Sequence, residues 1–184
     1  YYLDPTTGAR QVGWHIVNGN LYHFDANTGA AQKGWYTTTE PHTAASARAG
    51  RSASSEYTYY FGDNGAAIKG VITLNNKFYY FSDSFVQQTG WQTVSGNLYY
   101  FGQNDGAAVT GWSSLPNDGG RCYLLPDKGY TATGLVTIGS DKYYFASSGA
   151  MQVGWFTIDG GKYCFDAEGK AMKSTFADHN GTTY

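Results

Sequence analysis

The chain has 184 residues and a formal net charge of −2, with 12 basic and 14 acidic side chains scattered along it, so nothing marks a nucleic-acid or anionic-membrane partner. Its bulky apolar side chains are largely aromatic, 17 Tyr, 10 Phe and 5 Trp, beside 25 Gly and two Cys. No run of about 18 apolar residues offers a membrane-spanning helix, so no membrane insertion is expected. The first residues, Tyr1-Tyr2-Leu3, look like the second half of a repeat, which reads as a piece cut from a longer protein. A glycine then closes each successive unit, at Gly13, Gly34, Gly70, Gly90, Gly111, Gly134 and Gly154, with Ser174 in the same slot; the spacings are 21, 36, 20, 21, 23, 20 and 20. A fixed period of this length means stacked units.

The units run 14–34, 35–70, 71–90, 91–111, 112–134, 135–154 and 155–174, between partial units 1–13 and 175–184, and 1–184 reads as a single repeat array. In the clearest copy, Gly90 to Phe101, the central Ser95-Gly96-Asn97 supplies the positive φ angles of a two-residue turn between short strands. Its counterparts are Asn18-Gly19, Asn75-Asn76, Gly139-Ser140 and Asp159-Gly160. A second turn follows each aromatic triplet, as in Asp25 to Gly29, Gly62 to Gly65, Asp105-Gly106 and Asp166 to Gly169. Each unit is therefore a β-hairpin, and no helix is expected. A lone hairpin is marginal in water. The fold class is all-β, a solenoid of about eight stacked β-hairpins of roughly 20 residues each.

Two units are irregular. Thr38 through Glu56, rich in Ala, Ser and Thr, is an insertion that predicts a loop at a hairpin tip, and one role for it would be to cover the Trp35 groove. Leu115-Pro116 through Gly120 lengthens another turn, for which no ligand role is expected.

Side chains on a strand alternate between faces, so the positions of the triplet separate by role. The first slot reads Tyr22, Tyr59, Tyr79, Tyr99, Tyr123, Tyr143 and Tyr163, and the third reads Phe24, Phe61, Phe81, Phe101, Leu125, Phe145 and Phe165. These two share a face and are the expected core. The middle slot drifts through His23, Tyr60, Tyr80, Tyr100, Leu124, Tyr144 and Cys164, which suits a half-exposed face. After each closing glycine stand Trp14, Trp35, Val71, Trp91, Trp112, Leu135, Trp155 and Thr175. Two readings follow: the indoles pack between hairpins as core, or an indole and the middle-slot tyrosine of the next hairpin flank a groove that stacks on a sugar or encloses a quaternary ammonium. On the second reading the candidate pairs are Trp14 with Tyr60, Trp35 with Tyr80, and Trp112 with Tyr144.

Chemistry is not signalled. His15, His23, His42 and His179 lack the spacing of a metal or nucleophile motif. Asp25, Asp63, Asp105 and Asp166 lie in turns, where bonding to backbone accounts for them. No catalytic residue, metal or cofactor is expected. Cys122 and Cys164, the first in the slot before a triplet and the second in a middle slot, stand in unmatched positions and outline no disulfide framework.

Gly-Trp, a short turn, Tyr-Tyr-Phe, an Asp/Asn-Gly turn and a closing Gly resemble the cell-wall-binding repeats of bacterial surface proteins, over nearly the whole chain. That superfamily includes choline-binding repeats, the glucan-binding repeats of glucosyltransferases and the repeats of clostridial toxins. The resemblance implies a left-handed superhelix with about three hairpins per turn. In the choline branch it also implies a cage made of the Gly-Trp indole, an aromatic just before Tyr-Tyr, and a Tyr of the next hairpin. Here that position reads Leu21, Thr58, Phe78, Leu98, Cys122, Lys142 and Lys162, and Phe78 belongs to the unit with Val71 in place of Trp, so no complete cage assembles. Lys142 and Lys162 before their triplets resemble the glucan-binding and toxin branches, and Gln11, Gln32 and Gln152 add amides suited to sugar hydroxyls or to a solvated turn.

The expected function is a non-catalytic module that anchors an exported bacterial protein to a cell-wall polymer or surface glycan, extracellular and wall-associated. Choline-bearing teichoic acid as ligand, and a spacer with no ligand, are the alternatives. Ragged terminal units leave self-association open.

Overall fold

A computed structural model of the chain describes residues 1–40, 42 and 56–172. Among these there are fourteen strands and no helix: β1 Gly13–Val17, β2 Asn20–Phe24, β3 Gly34–Thr38, β4 Tyr57–Phe61, β5 Gly70–Leu74, β6 Lys77–Phe81, β7 Gly90–Val94, β8 Asn97–Phe101, β9 Gly111–Ser114, β10 Arg121–Leu124, β11 Gly134–Ile138, β12 Asp141–Phe145, β13 Gly154–Ile158 and β14 Gly161–Phe165. Each odd strand pairs with the even strand after it, giving seven two-stranded sheets. The turn chemistry is that of the sequence: Asn18 and Gly19 sit at φ 50° and 78°, and Asp159 and Gly160 at 50° and 80°, the left-handed pair that a two-residue hairpin requires. The partial unit 1–13 folds as a turn closed by a Leu3–Arg10 bridge, whereas 175–184 and most of the 38–56 insertion lie outside the described residues.

The hairpins are joined by a repeated hydrogen bond. The backbone N–H of the segment leaving one hairpin donates to the carbonyl just before the triplet of the hairpin preceding it. The chain divides into two compact units, Tyr1–Val94 with Phe101–Ala108, and Ser95–Tyr100 with Val109 onwards. In the first unit the donors are Ala67 to Leu21, Gln87 to Thr58 and Ala108 to Phe78, each at 2.8 Å. In the second they are Thr131 to Leu98 at 2.8 Å, Met151 to Arg121 at 2.7 Å and Ala171 to Lys142 at 2.8 Å. Stacking thus satisfies backbone groups that an isolated hairpin would leave to water.

Third-slot phenylalanines form the core as expected: Phe61, Phe81, Phe101 and Phe145 are at most 1% exposed, a burial worth about 1.5–3 kcal/mol per side chain. First-slot tyrosines divide. Tyr59, Tyr99 and Tyr143 are buried, while Tyr22, Tyr79 and Tyr163 are half-buried. In the first unit Leu21, Tyr57, Tyr59, Phe61, Ala67 and Val86 make one cluster; in the second, Ala132, Tyr143 and Phe145 make another.

The fifth hairpin, β9 with β10, corrects the sequence reading by one residue. Leu124, not Leu125, lies opposite Gly111, so the triplet is Cys122-Tyr123-Leu124 and Arg121 takes the place before it. Leu124 also bridges to Thr131, as Phe145 does to Met151, and Arg121 accepts the stacking hydrogen bond that Lys142 accepts in the hairpin after it. The physical reason is burial. This register puts Cys122 and Leu124, both 0% exposed, in the core and leaves the Tyr123 ring half-buried. The lengthened turn and the shorter strands β9 and β10, four residues each, had removed the count by which register is read. Cys122 and Cys164 are both free thiols.

Carboxylates serve the turns. The backbone N–H and hydroxyl of Thr28 each donate to Asp25 Oδ1 at 2.7 Å, which holds the Asp25 carboxyl below the ordinary carboxylate range. Asp4 is lowered in the same way, by the Thr7 N–H first.

Candidate aromatic binding grooves

A tryptophan after the closing glycine is the second residue of the first strand of its hairpin, so the antiparallel register places it opposite the middle slot of its own triplet: Trp14 faces His23, Trp35 faces Tyr60 and Trp112 faces Tyr123. The second wall comes from the next hairpin, whose first-slot tyrosine and third-slot phenylalanine lie against the indole. Trp14 packs on Tyr59 at 4.7 Å and Phe61 at 6.1 Å between ring centroids. Trp35 packs on Tyr79 at 5.0 Å and Phe81 at 5.9 Å. Trp112 packs on Tyr143 at 4.9 Å and Phe145 at 6.0 Å.

Of the six predicted site residues, the structure therefore brings Tyr60 beside Trp35 at 5.2 Å, while Trp14 takes Tyr59. Tyr80 stacks on Phe101 at 6.0 Å, and Tyr144 lies against Phe156 at 5.1 Å. Tyr59, Tyr79, Tyr123 and Tyr143, each beside an indole, were absent from the sequence candidates. Counting outward from the two-residue turn Asn18-Gly19 places His23 opposite Trp14, whereas the hairpins of Trp35 and Trp112 are closed by the insertion and by the lengthened turn, across which no such count runs.

The three indoles differ in access. Trp35 is 44% exposed and Trp112 is 36% exposed. Trp14 is half-buried and ringed by His23, Tyr36 and Tyr59 at 4.7, 5.8 and 4.7 Å. His42, a described residue of the insertion, lies 5.8 Å from Trp14 between ring centroids. Burial pushes the imidazoles of both His23 and His42 below their usual range, in His23 against the opposing charges of Asp25 and Glu40.

Polar groups near the indoles are mostly engaged. Gln11, Gln32 and Gln152 donate their side-chain amides to the turn carbonyls of Ala9, Lys33 and Ala150, as the turn reading of these amides expects. Within the first unit a cleft of about 440 Å³ is lined by Glu56, Thr58, Gln87, Thr89, Gln103 and Asn104, hydroxyls, amides and one carboxylate. Among the described residues no three His, Cys, Asp or Glu side chains converge to hold a metal ion.

Comparison with known proteins agrees with this architecture. A family model described as a choline-binding repeat matches residues 70–113, 88–131 and 132–184. The chain belongs to the choline-binding repeat family. A model described as a putative cell wall binding repeat matches residues 12–27 of this repeat array as well. Glucosyltransferase-S of Streptococcus mutans serotype c is 29% identical over 128 residues, 68% of this chain and 7% of that protein. Among solved structures, CbpJ from Streptococcus pneumoniae TIGR4 superposes with a TM-score of 0.62 at 27% identity, over 100% of this chain and 61% of that one. Choline binding protein F from Streptococcus pneumoniae gives 0.61 at 28% identity, over 95% of this chain and 57% of that one. The repeat array thus spans about three-fifths of these two pneumococcal chains and a small fraction of the glucosyltransferase.

Proposed function

We propose that this chain is a non-catalytic repeat module that binds a bacterial cell-wall polymer or surface glycan, outside the cell, through the exposed indoles of Trp35 and Trp112. The observation that carries the reading is the exposure of these two rings, 44% and 36%, although each is held on three sides by aromatic partners. A ring that is oriented but open has little rotamer freedom left to lose on binding, which favours stacking on the flat face of a sugar. A spacer has no need of such rings. Family membership supports the wall-polymer assignment, as does the likeness to choline binding protein F, which has been crystallised in the presence of a peptidoglycan analogue. The likeness to Glucosyltransferase-S supports a glycan. Read as one array over 1–184, the module gains its affinity by avidity, since each shallow groove binds weakly and linkage raises the effective concentration of the next.

Choline as ligand has one observation in its favour, the aromatic walls of the Trp35 groove: Tyr60 and Tyr79 stand edge-on to the indole at 73°. Against it, the place before the triplet in that hairpin is Thr58, whose hydroxyl lies 3.1 Å from that of Thr37, so the third aromatic wall is missing. Tryptophan fluorescence titrated with choline and with α-glucan oligosaccharides, on the wild type, Trp35→Ala and Trp112→Ala, tests the reading. A saturable response that either substitution diminishes supports it. No response of the wild type to any wall polymer or oligosaccharide would leave the spacer.

A further inference from the structure

The two exposed grooves are near-copies in geometry and differ in charge. Trp35 meets Tyr60 at 5.2 Å and 73°, Tyr79 at 5.0 Å and 73°, and Phe81 at 5.9 Å and 40°. Trp112 meets Tyr123 at 5.2 Å and 69°, Tyr143 at 4.9 Å and 69°, and Phe145 at 6.0 Å and 41°. What differs is the residue before the triplet. In the first groove it is Thr58; in the second it is Arg121, whose guanidinium carbon sits 4.5 Å from the centre of the Trp112 ring system. Arg121 is exposed, and no carboxylate pairs with it among the described residues.

We propose that the Trp112 groove is a site for an anionic saccharide, a sugar unit bearing a carboxylate or phosphate, and that it excludes quaternary ammonium groups. This rests on the glycan reading above and names the ligand class at one of its two grooves. The negative face of an indole is what attracts a cation, and here a guanidinium already lies over part of it, while Trp112 stays 36% exposed. A second cation would meet like charge at contact distance. An anion meets the opposite situation. Arginine presents a planar fork of N–H donors that matches a carboxylate or phosphate in bidentate fashion. Stacking on Trp112 orients that fork beforehand, so less side-chain freedom is lost on binding. The half-buried ring of Tyr123 stands edge-on beside the indole and offers the sugar a second aromatic surface. The charge is also not isolated: the same place before the triplet is Lys142 and Lys162 in the next two hairpins, both exposed, whereas in the first unit it is Leu21, Thr58 and Phe78.

The internal duplicate supplies the test. Indole N–H signals of the full chain, labelled with ¹⁵N and assigned by single Trp→Phe substitutions, are followed during titration with an oligogalacturonate, a glycerol-phosphate oligomer, a neutral isomalto-oligosaccharide and choline. The first two probes separate carboxylate from phosphate as the anion. An anionic probe is expected to move the Trp112 signal, choline to leave it in place, and Arg121→Thr to weaken the anionic response by about tenfold or more, as loss of a charge-assisted contact does. Arg121→Thr is further expected to admit choline to Trp112, and Thr58→Arg to confer the anionic response on Trp35. Both positions are on the surface of paired strands, and unchanged signals elsewhere report intact folding. Choline moving Trp112 in the wild type as it moves Trp35, or anionic binding indifferent to Arg121→Thr, overturns the proposal. If Trp35 responds to a neutral probe and Trp112 fails these criteria, only this inference falls; if neither indole responds to any probe, the glycan reading falls with it.

Discussion

Gly149 and Gly160 offer a matched pair that tests whether stacking, and not the hairpin alone, holds the second unit together. Both have positive φ, 86° and 80°. Gly160 lies at the tip of the β13–β14 hairpin with nothing within 4 Å of where a Cβ would stand, so Gly160→Ala costs only the left-handed conformation of an L-residue, about 1–2 kcal/mol. Gly149 lies in the turn after β12, where a Cβ would fall 2.9 Å from Thr131 Oγ1 and 3.0 Å from its Cβ. Thr131 belongs to the segment that follows the preceding hairpin, and at 5% exposure it has little room to yield. Gly149→Ala therefore adds an overpacking cost of about 1–3 kcal/mol to the same conformational one. With a urea slope of about 2 kcal/mol/M, the two variants should differ in midpoint by about 0.5–1.5 M. Urea titration followed by circular dichroism measures this, with the slopes compared because an array can lose two-state behaviour. Equal midpoints, or a larger loss in Gly160→Ala, would refute the claim that each turn is seated on the one before it.

Three further outcomes follow from burial and charge. Leu124→Ala should cost about 2–5 kcal/mol, as for a fully buried leucine, and Leu125→Ala clearly less; the reverse order in thermal unfolding would restore the register that the sequence suggested. His23 and His42 are held below their usual range by burial, so the folded state prefers them neutral: their contribution is present above about pH 6.5 and is lost as pH falls through their lowered folded values. The melting temperature should fall between about pH 6.5 and 5, before the lowered aspartates Asp4, Asp25 and Asp105 titrate, and a flat profile over that window would contradict the burial assigned to both rings. Burial also raises the Cys122 thiol, so an aromatic disulfide reagent should modify half-buried Cys164 first, and Cys164→Ser should abolish the fast phase; survival of that phase would place Cys122 at the surface.

The fold was legible because each level of the sequence repeats the same instruction. Asn-Gly and Asp-Gly tips set two-residue turns, and the alternation Tyr, middle slot, Phe set the buried face. Legibility failed where local count and burial parted company. In the fifth hairpin tyrosine was the natural anchor for alignment, yet the core took Cys122 and Leu124. Phe85 departs from the pattern in another way: it occupies the turn position where Gly65 and Gly106 stand, at φ 62°, with its ring packed against the first-unit core. There the stacked array imposes the turn on a residue with no local preference for it, and burial of the ring offsets the conformational cost.

The aromatic grooves were half legible for a related reason. That a tryptophan after glycine meets a tyrosine could be read from composition by slot, but which tyrosine depends on two different geometries, strand register within a hairpin and stacking between hairpins. Across the insertion and the lengthened turn register sets Tyr60 opposite Trp35 and Tyr123 opposite Trp112, and it is a local count only where a two-residue turn closes the hairpin. Stacking is not, and it turns the first-slot Tyr79 and Tyr143, assigned to the core by alternation, toward an indole of the preceding hairpin. The same residues thus serve as packing for one hairpin and as groove wall for another. In such a fold, core and site are not separate populations of side chains. On the reading proposed above, the difference in ligand preference between the two grooves rests on the residue before the triplet, where a neutral Thr58 and a cationic Arg121 accompany closely similar ring sets.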